Sequence, residues 1–330
     1  MKPVVGIPRA LLYYQYYPLW RTFLDGLGVA VVVSPPTGRA ILQDGLAALG
    51  TDVCLPVKVA AGHLMALRDK VDLIFLPRLV SAAKREYACP KLMGLPDLVR
   101  HSLDLPPLLA PVIDRYRHDN WPLLRVALAL GHRLGASVPT VVRAYRRALA
   151  CHRQYVQTME AGYFPDEAGE AVCAGKPLDK RAPAEAVVAV IGHPYTVYDR
   201  EINLNLAGRL SRMGLGVCTA EQVPEATVRR AATALPKHLF WTAGQQVVGA
   251  AFHYLTENRV AGMISVMSFG CGPDSMTGEL IARQARQSGR IPHLTLTLDE
   301  HAAETGVLTR LEAFLDMVLS RREGDIATCG

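Results

Sequence analysis

The chain has 330 residues, half of them hydrophobic and a fifth charged, with a formal net charge of +6. A chain of this length is expected to form about two domains of roughly 100–200 residues each, with ample core. The composition excludes intrinsic disorder, no apolar stretch approaches the roughly 20 residues of a membrane span, and so mild a charge gives no support for nucleic-acid binding.

The N-terminus, MKPVVGIPRALLYY, enters a strand-like run directly. It lacks the basic leader, apolar middle and small-residue cleavage site of a signal peptide, so a cytoplasmic location is expected. PVVGIP, GVAVVVSPP, VDLIFLP and LAPVID then read as buried parallel-type strands with helical patterns between them. After about residue 115 the strand signals stop. WPLLRVALALGHRLG and VPTVVRAYRRALACHRQYVQTME read as two helices, and GYFPDEAGE to KPLDKRAP as a polar connector. Between Arg115 and Arg153 lie eight arginines and one acid, Asp119. A solvated helical face accounts for them; a docking surface for an acidic partner or a phosphorylated ligand is the alternative.

Strands resume with AVVAVIGHP, GLGVCTA, VAGMISVMSF and IPHLTLTLD. A long helix starts near Thr305, and REGDIATCG reads as a loose tail holding Cys329. The two strand-bearing parts resemble each other. Each has Gly-x-Pro after its first strand (Gly6/Pro8 and Gly192/Pro194), then a helix, then Gly-Leu-Gly-Val leading into the next strand. The fold expected is α/β, with two related Rossmann-like parallel-sheet domains and a helical insert. The divisions expected are 1–115 (N-terminal α/β), 116–182 (helical segment and connector) and 183–330 (C-terminal α/β). In such sheets ligands bind beyond the carboxyl ends of the strands.

The loops after strands are where chemistry accumulates. Seven cysteines occur, at 54, 89, 151, 173, 218, 271 and 329. An odd set in a chain with no export signal argues against a disulfide framework. No CxxC pair, zinc-finger spacing or ferredoxin-type run is present. Cys54, Cys89 and Cys271 each lie in a turn-rich context with a proline one or two residues later. Cys151 and Cys218 fall inside regular elements, where a cysteine acts as a small hydrophobe, and Cys173 falls in the connector. Three thiolates converging from distant loops suit an iron–sulfur cluster with one iron left open; three unrelated loop cysteines are the plainer alternative. In SFGCGPDS, Gly270 and Gly272 would let the backbone approach such a core closely. His193, in IGHPYTVYD, is a candidate proton donor or a hydrogen-bonded structural residue. Glu300 and Asp299, in LTLDEH, are candidate acid–base groups or caps before the last helix. No P-loop, dinucleotide fingerprint or nucleophile elbow appears.

Taken together, GIPRALLYYQYYPLW, VVVSPPT, CLPVKVAAGH, PRLVSAAKREYACPK, IGHPYTVYD, SFGCGPDS and DEHAAETGVLTRLEAF resemble the acyl-CoA dehydratase activase-related proteins. These are similar to the iron–sulfur subunit of 2-hydroxyacyl-CoA dehydratases and to double-cubane cluster proteins. The resemblance implies a cluster in the interdomain cleft held by Cys54, Cys89 and Cys271. A single 4Fe–4S cubane is favoured, because a double cubane in that family uses more cysteines per chain; a homodimer that joined two clusters would reopen that choice. It also implies an ATP-hydrolysing activator protein as electron donor, an acyl-CoA substrate, anaerobic chemistry, and reduction or radical dehydration as a lyase or reductase component. A non-catalytic electron-transfer or cluster-carrier protein is the alternative.

Overall fold

The computed structural model describes residues 2–117, 121–181, 184, 186–257, 259–301 and 304–328. Two compact units divide the chain. The first comprises residues 1–179 with Leu239–Thr242, and the second residues 180–238 with 243–330.

In the first unit the elements run β1 (Val4–Ile7), α1 (Tyr13–Gly26), β2 (Ala30–Val33), α2 (Arg39–Ala48), α3 (Leu55–Met65), β3 (Leu73–Phe75), β4 (Arg78–Ser81) and α4 (Pro90–Ser102). They continue with β5 (Leu108–Leu109), β6 (Val112–Asp114), α5 (Trp121–Arg133), α6 (Val138–Glu160) and α7 (Pro165–Ala174). The main sheet has the order β2-β1-β3-β5 and is parallel throughout. β4 and β6 form a separate parallel pair. The β-branched runs go where they can be buried on a sheet. Val5, Ile7 and Phe75 pack with Phe23 and Leu24 of α1, Leu130 of α5, and Val141 and Ala144 of α6. The helices α5 and α6 of the 116–182 stretch thus share the first unit's core. The expected connector contains a helix: α7 starts at Pro165, where Phe164 N–H donates to Glu167 Oε2 at 2.8 Å. Its acid-rich opening reads as polar loop in sequence but suits the positive end of a helix.

The second unit runs β7 (Ala186–Ile191), α8 (Pro194–Val197), α9 (Leu206–Arg212), β8 (Leu215–Thr219), α10 (Glu225–Ala232) and α11 (Thr242–Thr256). It ends with β9 (Gly262–Ser268), α12 (Gly272–Ser288), β10 (His293–Leu298) and α13 (Glu304–Thr328). Its sheet has the order β8-β7-β9-β10, again all parallel. Numbered from its own first strand, each four-stranded sheet therefore reads 2-1-3-4. The repeated Gly-x-Pro and Gly-Leu-Gly-Val signals mark the same strand–helix–strand opening in both. Val188, Val190, Ile264 and Leu296 pack on Leu210 of α9 and on Leu311, Phe314 and Val318 of α13. The expected loose tail is helical through Thr328, while Cys329 lies outside the described residues. No described helix is long and apolar enough to cross a membrane.

Candidate functional site

A 2-1-3-4 parallel sheet reverses its winding between its first and third strands, and the crevice at their carboxyl ends is where such sheets take ligands. In the second unit these strands are β7 and β9. β7 ends at Ile191 and is followed by Gly192, whose Cβ, if present, would overlap the Val266 carbonyl oxygen and lie 3.1 Å from Val197 Cγ2. Only a glycine lets the chain turn there, and His193 follows as the residue before α8.

β9 ends at Ser268, and the chain turns through Gly270 with φ +76°. That left-handed conformation accounts for the first glycine of SFGCGPDS without any ligand. Cys271 is the N-cap of α12, and its N–H donates to Ser268 O at 3.1 Å. A Cβ on Gly272 would meet no heavy atom within 4 Å, so the second glycine faces open space. Asp274, in the first turn of α12, folds back: Oδ2 accepts from Ser268 N–H at 3.1 Å and Oδ1 meets His193 Nε2 at 2.9 Å. The Cys271 thiol also donates to Asp274. The ligand atoms of His193, Cys271 and Asp274 all lie within 4.8 Å of one another, and all three residues are buried.

Burial opposes both charges of this pair, yet each partner holds the other ionised. Burial lowers the His193 pKa, but Asp274's charge and hydrogen bond, with Glu221 behind them, leave it raised overall. Burial raises Asp274, but His193 and the Ser268 and Cys271 hydrogen bonds leave it lowered overall. Glu221, just after β8, has a carboxyl group that burial shifts upward, against a 2.8 Å hydrogen bond from Tyr198 Oη. Tyr198 Oη also lies 2.7 Å from Thr219 Oγ1. His193 Nδ1, Thr196 Oγ1 and Glu221 Oε1 are buried with no hydrogen-bond partner among the described residues. Orphaned buried polar atoms are costly and mark places where a ligand or water completes the network. Asp274 thus fixes the imidazole by Nε2 and leaves Nδ1 as the nitrogen that can serve a ligand.

In the first unit Cys54 is the N-cap of α3 (φ −66°, ψ 153°) and Cys89 the N-cap of α4 (φ −68°, ψ 153°), each with proline at the first or second helical position. Their loops are tied by Lys91 Nζ donating to Asp52 O at 3.2 Å. α4 is fixed against β4 by Arg78, which reaches Asp97 at 2.6 and 2.7 Å and Met93 O at 2.8 Å. The buried helix α3 crosses α2 through Gly45 and Gly62, and a Cβ on either would run into the other helix's backbone carbonyl. Next to Gly62 in α3, His63 is fully buried, with Nδ1 2.8 Å from Ser34 Oγ and Nε2 2.9 Å from Thr37 Oγ1. Burial, then the charge of Arg9, push its pKa down to about 4.

All three candidate cysteines therefore do the same thing: each is the extended residue immediately before a helix, with proline just inside. Cysteine is not a favoured N-cap residue, so capping does not explain the repetition. Asp199, the last residue of IGHPYTVYD, is a turn residue whose Oδ1 accepts from Glu201 and Ile202 N–H groups. Asp299 does the same for His301. Glu300 lies half-buried in the turn after β10 and is not in the His193 group. Cys218 lies within β8, 3.8 Å from Val188 O. Cys151 and Cys173, set aside in sequence, meet across α6 and α7. The sequence signals missed Asp274, in the first turn of α12, and Glu221, just after β8, whose partners His193 and Tyr198 are distant in sequence.

Among curated proteins none matches the chain. The family model described as CoA enzyme activase uncharacterised domain (DUF2229) matches residues 4–223, which includes Cys54, Cys89, His193 and Glu221 and ends before Cys271. With its first sheet, the helices α1 to α9 and the opening of its second sheet inside that match, the chain belongs to the CoA enzyme activase domain family.

Proposed function

We propose that this protein is an iron–sulfur component of CoA-enzyme activation, similar in chemistry to the 2-hydroxyacyl-CoA dehydratase subunits. Cys54, Cys89 and Cys271 would supply thiolates to a 4Fe–4S cluster, leaving one iron open. The observation that carries this reading is the shared placement of the three cysteines before helices, where capping gives no reason for sulfur. The donor set fits the group. Thiolates are soft ligands, helix N-termini favour an anionic centre, and Gly272 leaves free space beside Cys271. When bound, such a cluster supplies a low-potential electron and a Lewis-acidic iron.

The electron would come from a separate ATP-hydrolysing activator, and a small acyl-CoA thioester is the substrate class favoured for reduction or dehydration. The chain's own residues would manage protons. His193, held as a cation by Asp274, presents Nδ1 as the donor; Glu221, shifted toward its neutral form, is the group positioned to restore it. Glu300, in the turn after β10, is proposed as a further acid or base.

The test is anaerobic loading with ferrous iron and sulfide, followed by addition of an activator ATPase, Mg-ATP and dithionite. A visible charge-transfer band that bleaches only with ATP supports the reading. Failure to acquire any band sinks it. Bleaching without turnover of any acyl-CoA would favour a pure electron carrier.

The grouping of His193, Cys271 and Asp274 supports a second reading, a single zinc-type ion, since these are three of its usual ligand types. Zinc lost in Cys271→Ser but retained in Cys54→Ser would favour it over the cluster.

A further inference from the structure

We propose that Cys151 and Cys173 form a thiol–disulfide exchange site for an anionic low-molecular-weight disulfide of the glutathione type. The site lies within the first unit, in the hairpin of α6 and α7. That hairpin turns at Gly162, whose φ is +106°, and is held by Tyr155, Met159 and Ala168. Its register brings Cys151, on α6, and Cys173, in the last turn of α7, close enough for the two thiols to share a hydrogen bond. Both line one cavity of about 500 Å³, together with Tyr17, Arg21, Thr22 and Arg147. Small-molecule sites commonly run to about 300–1,000 Å³, so there is room for one arm of a tripeptide disulfide.

The two sulfurs differ in a way that assigns their order. Cys151 accepts a hydrogen bond from Thr22 Oγ1 at 3.1 Å. The Cys173 hydrogen bond, opposed by burial and aided by Thr22 and by Arg147 one turn earlier, brings Cys151 down to about 6. Cys173 is shifted the other way, by that same hydrogen bond and by burial. With Thr22 donating to it and Arg147 one turn away both favouring its thiolate, Cys151 is the attacking sulfur, while Cys173 is the exposed thiol that resolves. The balance is closed. Cys151 S⁻ attacks one sulfur of the small disulfide, forming a mixed disulfide and releasing one thiolate. Cys173 then gives up its proton, attacks Cys151 Sγ and releases the second. The protein dithiol is oxidised by two electrons and the small disulfide is reduced to two thiols. Arg21 pairs with Asp25 at 2.7 Å, so Arg147 is the cation left to select an anionic disulfide.

The experiment incubates the full-length reduced protein, oxygen-free, with oxidised glutathione or with the cationic disulfide cystamine, and maps the products by mass spectrometry. Wild-type protein is expected to yield a Cys151–Cys173 linkage, and Cys173→Ser to stop at glutathione attached to Cys151. Arg147→Glu is expected to slow the glutathione reaction about tenfold and leave or raise the rate with cystamine. Absence of the Cys151–Cys173 linkage in wild type overturns the proposal. So does glutathionylation spread evenly over other cysteines, or a wild-type preference for cystamine that Arg147→Glu does not change.

Discussion

Replacing Gly62 by alanine tests how α3, the helix that begins at Cys54, is placed. A Cβ at Gly62 would overlap the Ile41 carbonyl oxygen and lie 2.9 Å from its carbon, well inside ordinary contact. The obstacle is backbone, so α2 must move as a body. Overpacking costs typically about 1–3 kcal/mol, and a backbone obstacle that no side-chain rotation can relieve puts this site at the upper end, about 3 kcal/mol. Alanine's better helix propensity returns about 1 kcal/mol, so the net loss expected is about 2 kcal/mol. Gly94, inside α4, is the matched control: a Cβ there meets nothing within 4 Å, and α4 begins at Cys89. Gly94→Ala should stabilise by about 0.5–1 kcal/mol. The assay is urea unfolding followed by tryptophan emission, because Trp20, Trp121 and Trp241 all belong to the first unit. Trp20 packs on Phe75 at 4.9 Å between ring centroids, so its signal follows that core. The two variants should separate by roughly 3 kcal/mol in opposite directions from wild type. Gly62→Ala within about 0.5 kcal/mol of wild type, the range of an ordinary surface change, would refute the backbone crossing.

Further expectations concern titration and the buried ion pair. His63 is held near 4, against about 6.5 unfolded, so the folded state binds fewer protons in that window. Stability should be complete above about pH 6.5 and fall as pH drops toward 4, by about 2 kcal/mol from this residue at pH 5. His152, also at about 4 through burial, adds a similar slope to the first unit. Urea midpoints at pH 7 and 5 should therefore differ, and His63→Gln should remove about half of the difference. In the second unit, Asp274→Ala leaves His193 buried without its carboxylate and should destabilise by about 3–5 kcal/mol. Hydrogen exchange along β9 should report it, and a double change to His193→Phe with Asp274→Leu should recover much of the loss; full protection in the single variant would argue against a buried ion pair.

Most strands were legible because β-branched runs bounded by Gly and Pro go where both sheet faces are covered, and the matching Gly-Leu-Gly-Val signals marked the strand–helix–strand opening that both units share; the strand order itself had no local signal. β4 escaped notice because RLVS follows Pro77 and is short. α7 escaped because PDEAGE is polar and lacks the usual Ser, Thr or Asp cap. At the site, Cys-x-Pro, Cys-Pro and Cys-Gly-Pro were visible, since proline after cysteine is a local helix-start signal. Asp274 and Glu221 were not, because a carboxylate acquires its role from the histidine or tyrosine that the topology sets beside it. The meeting of Cys151 with Cys173 depends on the register of a helical hairpin, which no local pattern encodes.

Iron and acid-labile sulfide, counted per chain in protein kept strictly oxygen-free, test the central claim most directly. Wild type and Cys218→Ser should each hold roughly four of both, as a 4Fe–4S centre requires. Cys54→Ser, Cys89→Ser and Cys271→Ser should lose them. Near-zero iron in wild type, or equal iron in Cys271→Ser and Cys218→Ser, would contradict the account.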